Sequence, residues 1–423
     1  MNAQIATIIT FAGFVALPLA VIASKGEVVL LGIAALTVLF AWVQGRAWKT
    51  LLRARFLLLL LAVPALGAAT AAWAVVPRDA LELAGSLTLL FLASAIVVSG
   101  AKLDDAARQN FAATAGAGYG FGCILLFVEF YVGMPITHMM HYQVTNAIKP
   151  ELSMLNPALS VLVIIVWPFA AAGQRFLSFV ALTAASIIAL GGDMVTARLA
   201  MGAAGVAFLL VMWFGRATVL ALGTAAVLFV AAAPFLGQLR PTAEMQVTVD
   251  EMRGSVAHRL CIWEFASARI LEKPLLGWGL DSSRSIPGGE VECVEDGPSL
   301  SLHPHNAALQ VWLELGIVGA FLLASLLALA FRFVGRMPAG TPQAGATASL
   351  VAALMTAFLS YGVWQNWWIA VLALGAMTVR AALPGPAPAR APAPAKKPAA
   401  AAAGAQPLAQ IPTAKVPAAL AKK

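Results

Sequence analysis

His303 and His305, two of the chain's five histidines, stand where a long polar stretch gives way to an apolar run, Leu302-His-Pro-His-Asn-Ala-Ala-Leu-Gln-Val-Trp-Leu-Glu-Leu-Gly-Ile-Val-Gly319. Histidine accepts and returns a proton near neutral pH. Asn306, Gln310 and Glu314 follow at four-residue steps, which puts them on one helix face. Glu314 then lies roughly 12 Å below Asn306, inside the bilayer, where an ionisable group normally faces a protein interior or a watery cavity. Pro304 and Asn306 also suit the plain start and cap of a helix. Capping accounts for Asn306 but not for the whole stripe.

Three chemistries compete for these residues. One histidine acts as a general base; or His303 and His305, with His138 and His141 or Glu314, hold a metal; or Glu314 carries a proton through a transporter. The spacing matches no metal signature, and His-Glu-x-x-His is absent. Paired broken helices of an inverted-repeat transporter are not evident either. Arginine adds a further signal, because its guanidinium grips phosphate oxygens through paired hydrogen bonds. Arg198 follows Asp193 and Thr196 in a short connection, and Arg259 precedes Trp263 by four residues, so that the ring can pack beneath the guanidinium. For Arg253 and Arg269, solvation or headgroup binding is the better reading.

The elements that must position these groups are membrane helices. The chain has 423 residues, 61% hydrophobic and 11% charged, which excludes an ordinary soluble globular protein. Apolar runs long enough to cross a bilayer occur near 5–24, 27–44, 56–76, 84–100, 111–133, 157–173, 176–192, 199–215, 217–236, 307–331, 345–363 and 367–383. They do not alternate in steps of two, so the expected class is all-α with about twelve transmembrane helices and not a barrel. The first run has no basic residue before it and is too long for a signal peptide's apolar region, so it reads as an anchor.

Basic residues in the short loops set the orientation. With the N-terminus inside, Arg46, Lys49, Arg53, Arg55, Lys102, Arg108, Arg175, Arg216, Arg332 and Arg336 face the cytoplasm, and only Lys25, Arg78, Lys149 and Arg198 fall in short outer loops. The net charge of +8 is therefore inside bias and tail, and calls for no nucleic-acid partner. All five histidines, including His258, land outside.

The chain divides into helices one to nine (1–236), one large outer loop (237–305), helices ten to twelve (306–383) and a disordered cytoplasmic Ala/Pro/Lys tail (384–423). The loop is expected to carry a helix, His258 to Lys273, whose apolar face rests on the membrane surface. Pro274-Leu-Leu-Gly-Trp-Gly279 breaks it. Cys261 and Cys293 share the loop, which in an oxidising compartment favours a disulfide, whereas Cys123 lies in the fifth helix.

His305-Asn306, nine further residues and Gly316-Ile-Val-Gly319 resemble the motif of the O-antigen ligase superfamily. Arg259-Leu-Cys-Ile-Trp263 and Pro274–Gly279 are similar to that family's loop pattern, and Arg198 stands where it carries an earlier arginine. The resemblance covers roughly 190–330. It implies a metal-independent, cofactor-free glycosyltransferase of GT-C-like architecture in the bacterial inner membrane. Such an enzyme moves a glycan from undecaprenyl diphosphate to a hydroxyl at the periplasmic face. His305 would be the base, Arg198 and Arg259 would bind the diphosphate, and His303, Asn306, Gln310, Glu314 and Trp263 would support them. Loop length favours a lipid A-core acceptor. A polysaccharide polymerase or protein oligosaccharyltransferase of the same superfamily is the alternative, with a proton-coupled transporter more distant.

Overall fold

Uninterrupted apolar runs fold as α-helices, the form that satisfies every backbone N–H and C=O within one segment. The computed structural model describes residues 3–45, 55–142, 152–172, 181–188, 195–238, 254–294, 297–300 and 302–385. In chain order the helices are α1 (Ala3–Ala23), α2 (Gly26–Gln44), α3 (Arg55–Thr70), α4 (Pro77–Gly100), α5 (Asp105–Val132), α6 (Pro135–Tyr142), α7 (Asn156–Ala172), α8 (181–188), α9 (Val195–Phe214), α10 (Arg216–Ala232), α11 (Gly254–Glu272), α12 (Ala307–Val334), α13 (Thr341–Leu359) and α14 (Asn366–Ala382). Among the described residues the β structure is one short antiparallel ribbon, β1 (Glu292–Val294) with β2 (Gly297–Pro298). Nine helices among them are long and apolar enough to cross a membrane, and α3 and α14 are shorter apolar helices. The protein is an all-α, multi-pass membrane protein. Of the expected spans, 176–192 is described only at α8, and the tail beyond residue 385 lies outside the described residues.

The bundle packs tightly where side chains are small. Gly13 on α1 faces Phe111 and Ala115 of α5, and Gly118 and Gly122 of α5 take the Phe14 backbone and Leu17 in return. This is the close approach that small residues four apart allow between membrane helices. Helix α7 is the most enclosed, buried continuously from Ala158 to Phe169, and Ser349 of α13 donates to its Ile164 carbonyl at 2.8 Å.

Two helices end earlier than their apolar runs. α3 stops at Thr70, whose hydroxyl donates to Gly67 O and accepts the Leu280 N–H at 2.9 Å. α13 stops at Leu359 and not near 363, which frees Ser360 to Gln365 as a turn. Both ends face the same side of the bundle as the polar connection between α10 and α12.

Helix α11 departs from its expected setting. Ile262, Ala266 and Ile270 are fully buried within the protein instead of resting on a membrane. The segment Ala233–Gln238 folds beneath it, with the Gly237 N–H donating to Ser267 Oγ at 3.0 Å, and a Cβ on Gly237 would come within 2.7 Å of the α11 backbone.

Helix α12 is broken at Gly316, where φ is 61° and ψ is −157°. Such a break strands the carbonyls of residues 313 and 314 and the amide of 317. All three are taken up by the Pro274–Gly279 segment: Trp278 N–H donates to Leu313 O, Gly279 N–H to Glu314 O, and Ile317 N–H to Pro274 O, each at 2.9 Å. The approach is so close that a Cβ on Gly316 would lie 2.3 Å from Leu275 O and one on Gly277 2.5 Å from the Glu314 carbonyl. The two glycine motifs are thus the two sides of one backbone joint. Below the break, residues 317–334 span about 27 Å, close to a full hydrocarbon core. Glu314 sits just above the break, fully enclosed by protein. Replacing Gly316 by Ala is expected to cost about 1–3 kcal/mol in backbone strain alone, with the clash added. A thermal shift assay in detergent should show a marked loss, and a Tm equal to wild type would mean that the joint relaxes freely.

Candidate active site

Asn306 caps α12, its side-chain oxygen accepting from Ala308 N–H at 3.0 Å and Leu309 N–H at 3.2 Å. This fixes the residue before it. His305 has φ of 54°, an uncommon conformation for a side chain with a Cβ, held by its neighbours. Its N–H donates to Nδ1 of His303 at 3.2 Å, and its own Nδ1 lies 2.6 Å from the Ser360 carbonyl. A carbonyl only accepts, so Nδ1 carries the proton and the lone pair of the neutral ring is on Nε2. No described residue bonds Nε2, and His305 is half-buried.

His303 is placed differently from the exposed, flexible position its sequence context suggests. It is buried, its ring centroid lies 4.3 Å from that of His305, and Gly362 packs against its face so closely that a Cβ there would sit 2.8 Å away. Because Nδ1 accepts the His305 N–H, Nε2 holds the proton. Nε2 lies 3.4 Å from the side-chain amide of Gln365. Both nitrogens of His303 are thereby engaged. Burial first, then the charges of His305 and Arg284, push its pKa down to about 3. His303 thus stays neutral near neutral pH and holds the backbone of His305 in place.

Burial also lowers the His305 pKa. Arg259 and His258 on α11 add to the fall, and the Ser360 carbonyl opposes it. The positive charge of Arg259 is therefore felt at His305, and burial lowers the pKa of that guanidinium as well. Trp263, one turn on, donates from its indole to Pro304 O at 3.0 Å, fixing the peptide before His305. The cations that lie over rings among the described residues are Arg269 over Phe265 and Lys273 over Trp278. Arg269 also pairs with Glu272 at 2.7 Å, which makes it structural, and Arg253 lies outside the described residues. His258 bonds Pro298 O at 2.8 Å, tying α11 to β2.

Beneath the histidines, Glu314 is a clamp. Its carboxylate accepts from Asp281 N–H at 2.7 Å, Ser283 hydroxyl at 2.5 Å, Gln310 amide at 3.0 Å and Trp364 indole at 2.7 Å. Gln310 in turn accepts the Val363 N–H at 2.8 Å. One acid so joins the loop, α12 and the turn before α14. With four donors on its carboxylate, Glu314 has the geometry of a fastening between these segments.

Arg198 enters in the first turn of α9, half-buried, beside Thr196, whose hydroxyl meets Ser360 Oγ at 3.4 Å. His138 rides on α6, which Glu129 starts by accepting from Ile136 N–H at 2.7 Å and Thr137 N–H at 3.1 Å. The structure shows no contact between it and the histidine pair, and the His141 side chain lies outside the described residues. Among those residues no three His, Cys, Asp or Glu side chains gather as a metal site. Cys261 is disulfide-bonded, while the Cys293 side chain lies outside the described residues. Cys123 is free and buried.

Ser360, Tyr361, Trp364, Asp281 and Ser283 were not apparent from the sequence. The signal for the first three was the aromatic and polar stretch Ser360-Tyr-Gly-Val-Trp-Gln-Asn-Trp-Trp368 on the histidines' side, read as the end of an apolar run.

Fold and site together define a multi-pass α-helical protein with a histidine centre built where a long polar connection docks on one end of a helix bundle. Residues 180–324 match the family described as O-Antigen ligase. It is 32% identical over 185 residues to a protein of Rickettsia conorii named “Putative polysaccharide ligase”, covering 42% of this chain and 44% of that one. A protein of the same name from Rickettsia bellii is 32% identical over 188 residues, 42% and 45% of the two chains. One from Rickettsia felis is 36% identical over 119 residues, 27% and 29%. The matches span less than half the length of these relatives.

Proposed function

We propose that this protein is a ligase-type glycosyltransferase that moves a glycan from undecaprenyl diphosphate to a hydroxyl of lipid A-core, at the periplasmic face of a bacterial inner membrane. The observation that carries the reading is the His305 ring, with its Nδ1 proton tied to a carbonyl and its Nε2 open beside Arg259. Nε2 takes the acceptor hydroxyl proton as that oxygen attacks the anomeric carbon, and the bond from that carbon to the diphosphate oxygen breaks. Arg259 and Arg198 balance the charge on the departing diphosphate. The lipid diphosphate supplies the activation, so neither metal nor nucleotide takes part. The family match and the relatives' printed names support a ligase over the polymerase and protein-acceptor alternatives that share the motif. Twelve helices with the N-terminus inside, as the ten-to-four bias of basic residues has it, put the site outside. A Cys261–Cys293 bridge suits that compartment.

A deletion strain tests the acceptor: loss of the whole lipopolysaccharide ladder with accumulation of lipid-linked polymer supports ligase, whereas a single-repeat cap indicates polymerase. In lipid-reconstituted protein, transfer should survive EDTA, and a requirement for added Zn or Mg would overturn metal independence. The pH dependence gives a further expectation. Because the imidazolium is the inactive form and its pKa is lowered, kcat/KM rises along a limb below pH about 6.5 and is flat at neutrality. Arg259→Gln removes a positive charge that disfavours the imidazolium, so that limb moves to higher pH, whereas Arg259→Lys leaves it in place while weakening donor binding. A limb unmoved by Arg259→Gln would separate the two residues functionally.

A further inference from the structure

The turn Ser360–Gln365 lies outside the matched region 180–324, yet five of its six residues meet the histidine pair or the Gln310–Glu314 clamp. The Ser360 carbonyl holds His305 Nδ1 at 2.6 Å, Gly362 packs on the His303 ring, Val363 N–H bonds Gln310, Trp364 bonds Glu314, and Gln365 abuts His303 Nε2. What holds the turn itself is Tyr361. Its hydroxyl pairs with Ser160 Oγ of α7 at 3.0 Å, and its ring packs on Trp367 and Trp368 at 4.6 and 5.3 Å between centroids. Ser160 is anchored in turn, donating to Asn156 O at 2.9 Å.

We infer that Tyr361, pinned to Ser160 on the enclosed helix α7, is the positioning residue that aims the Ser360 carbonyl at His305 and so fixes which ring nitrogen can accept a proton. In many hydrolases a buried carboxylate does this work for a histidine base. Here a backbone carbonyl does it. A carbonyl fixes the tautomer without adding a negative charge next to a site that must receive a diphosphate. The constraint is also geometric, since the carbonyl is part of a turn stitched at both ends and cannot rotate away independently.

The inference rests on His305 as general base, and the test separates the two. Nitrogen-15 NMR of histidine-labelled, lipid-reconstituted full-length protein should show opposite neutral tautomers for the pair, Nδ1–H for His305 and Nε2–H for His303, assigned by His305→Gln and His303→Gln. In Tyr361→Phe, which keeps the ring packing, the His305 signal should become a tautomer mixture. kcat should fall about tenfold, the scale of one orienting hydrogen bond, with KM for the lipid donor unchanged. The acid limb should move to lower pH, because the Ser360 bond that favours the imidazolium is weakened while burial, Arg259 and His258 still disfavour it. That is the direction opposite to Arg259→Gln. Ser160→Ala should reproduce each effect from the other side of the pair, and the double variant should be no worse than either single one. If Tyr361→Phe and Ser160→Ala leave kcat, the limb and the tautomer signal unchanged while His305→Ala is inactive, the positioning role is wrong and the base stands. If His305→Ala still transfers glycan, the base falls and the positioning inference with it.

Discussion

His305→Ala is expected to lower glycan transfer by about 10²–10⁴-fold, the range for removal of a general base. The protein should still insert and still bind its lipid donor, because Arg198 and Arg259 sit on other helices. His303→Ala makes the informative comparison. A peripheral loop histidine would be dispensable, but this one is buried, accepts the His305 N–H and fills the space against Gly362. Its removal leaves a donor without its acceptor, which costs about 1–3 kcal/mol, and lets the His305 backbone relax from its positive φ. The expected outcome is an intermediate loss of kcat with lowered thermal stability, whereas His305→Ala loses kcat at nearly unchanged Tm. Steady-state kinetics with a thermal shift on the same preparations decide it. His303→Ala inactive at full stability, with His305→Ala active, would exchange the two roles.

Glu314→Gln should be the most damaging single-atom change in the protein. Three of the four groups that bond the carboxylate are N–H donors and the fourth is a hydroxyl. Glutamine replaces one acceptor oxygen with another donor and sets N–H against N–H. A stranded buried donor costs about 1–3 kcal/mol, against a total stability of about 5–15 kcal/mol for a folded domain. Glu314→Gln is therefore expected to reduce the yield of monodisperse protein sharply, and Glu314→Ala, with all four donors stranded, to abolish it. If Glu314→Gln purified normally with wild-type Tm but lost activity alone, the clamp would be a catalytic acid instead.

The legible part of this molecule was the part written in long apolar runs and in local spacing. Helix class, the stripe Asn306, Gln310, Glu314 and the cap all follow from residues four apart on one helix, and they stand in the structure as read. The joint at Gly316 was visible only as a glycine motif. Its meaning needs the partner segment at Gly277, some forty residues away, and no local rule reveals that pairing. His303 was misplaced for the same reason: its burial comes from Gly362 and Gln365, which approach it from the far end of the chain. Apolar length likewise overran two helix ends, since Thr70 and Ser360 terminate their helices through bonds to Leu280 and His305 and not through a local stop signal.

The broken helix has a consequence in biosynthetic time. The polar connection with α11 leaves the ribosome before α12, and α12 before the turn at Ser360–Gln365. At the moment of membrane insertion residues 307–334 can be one continuous helix, with the carbonyls of Leu313 and Glu314 bonded inside it. Only when the connection has folded back can those groups change partners, and only when α13 and the turn after it have been made do Ser360 and Trp364 exist to take their places. The histidine centre is therefore completed only after the turn at Ser360–Gln365 has been made. On the proposed reading, a chain that has not yet reached Ser360 lacks the carbonyl that orients His305, and transfer waits for that turn.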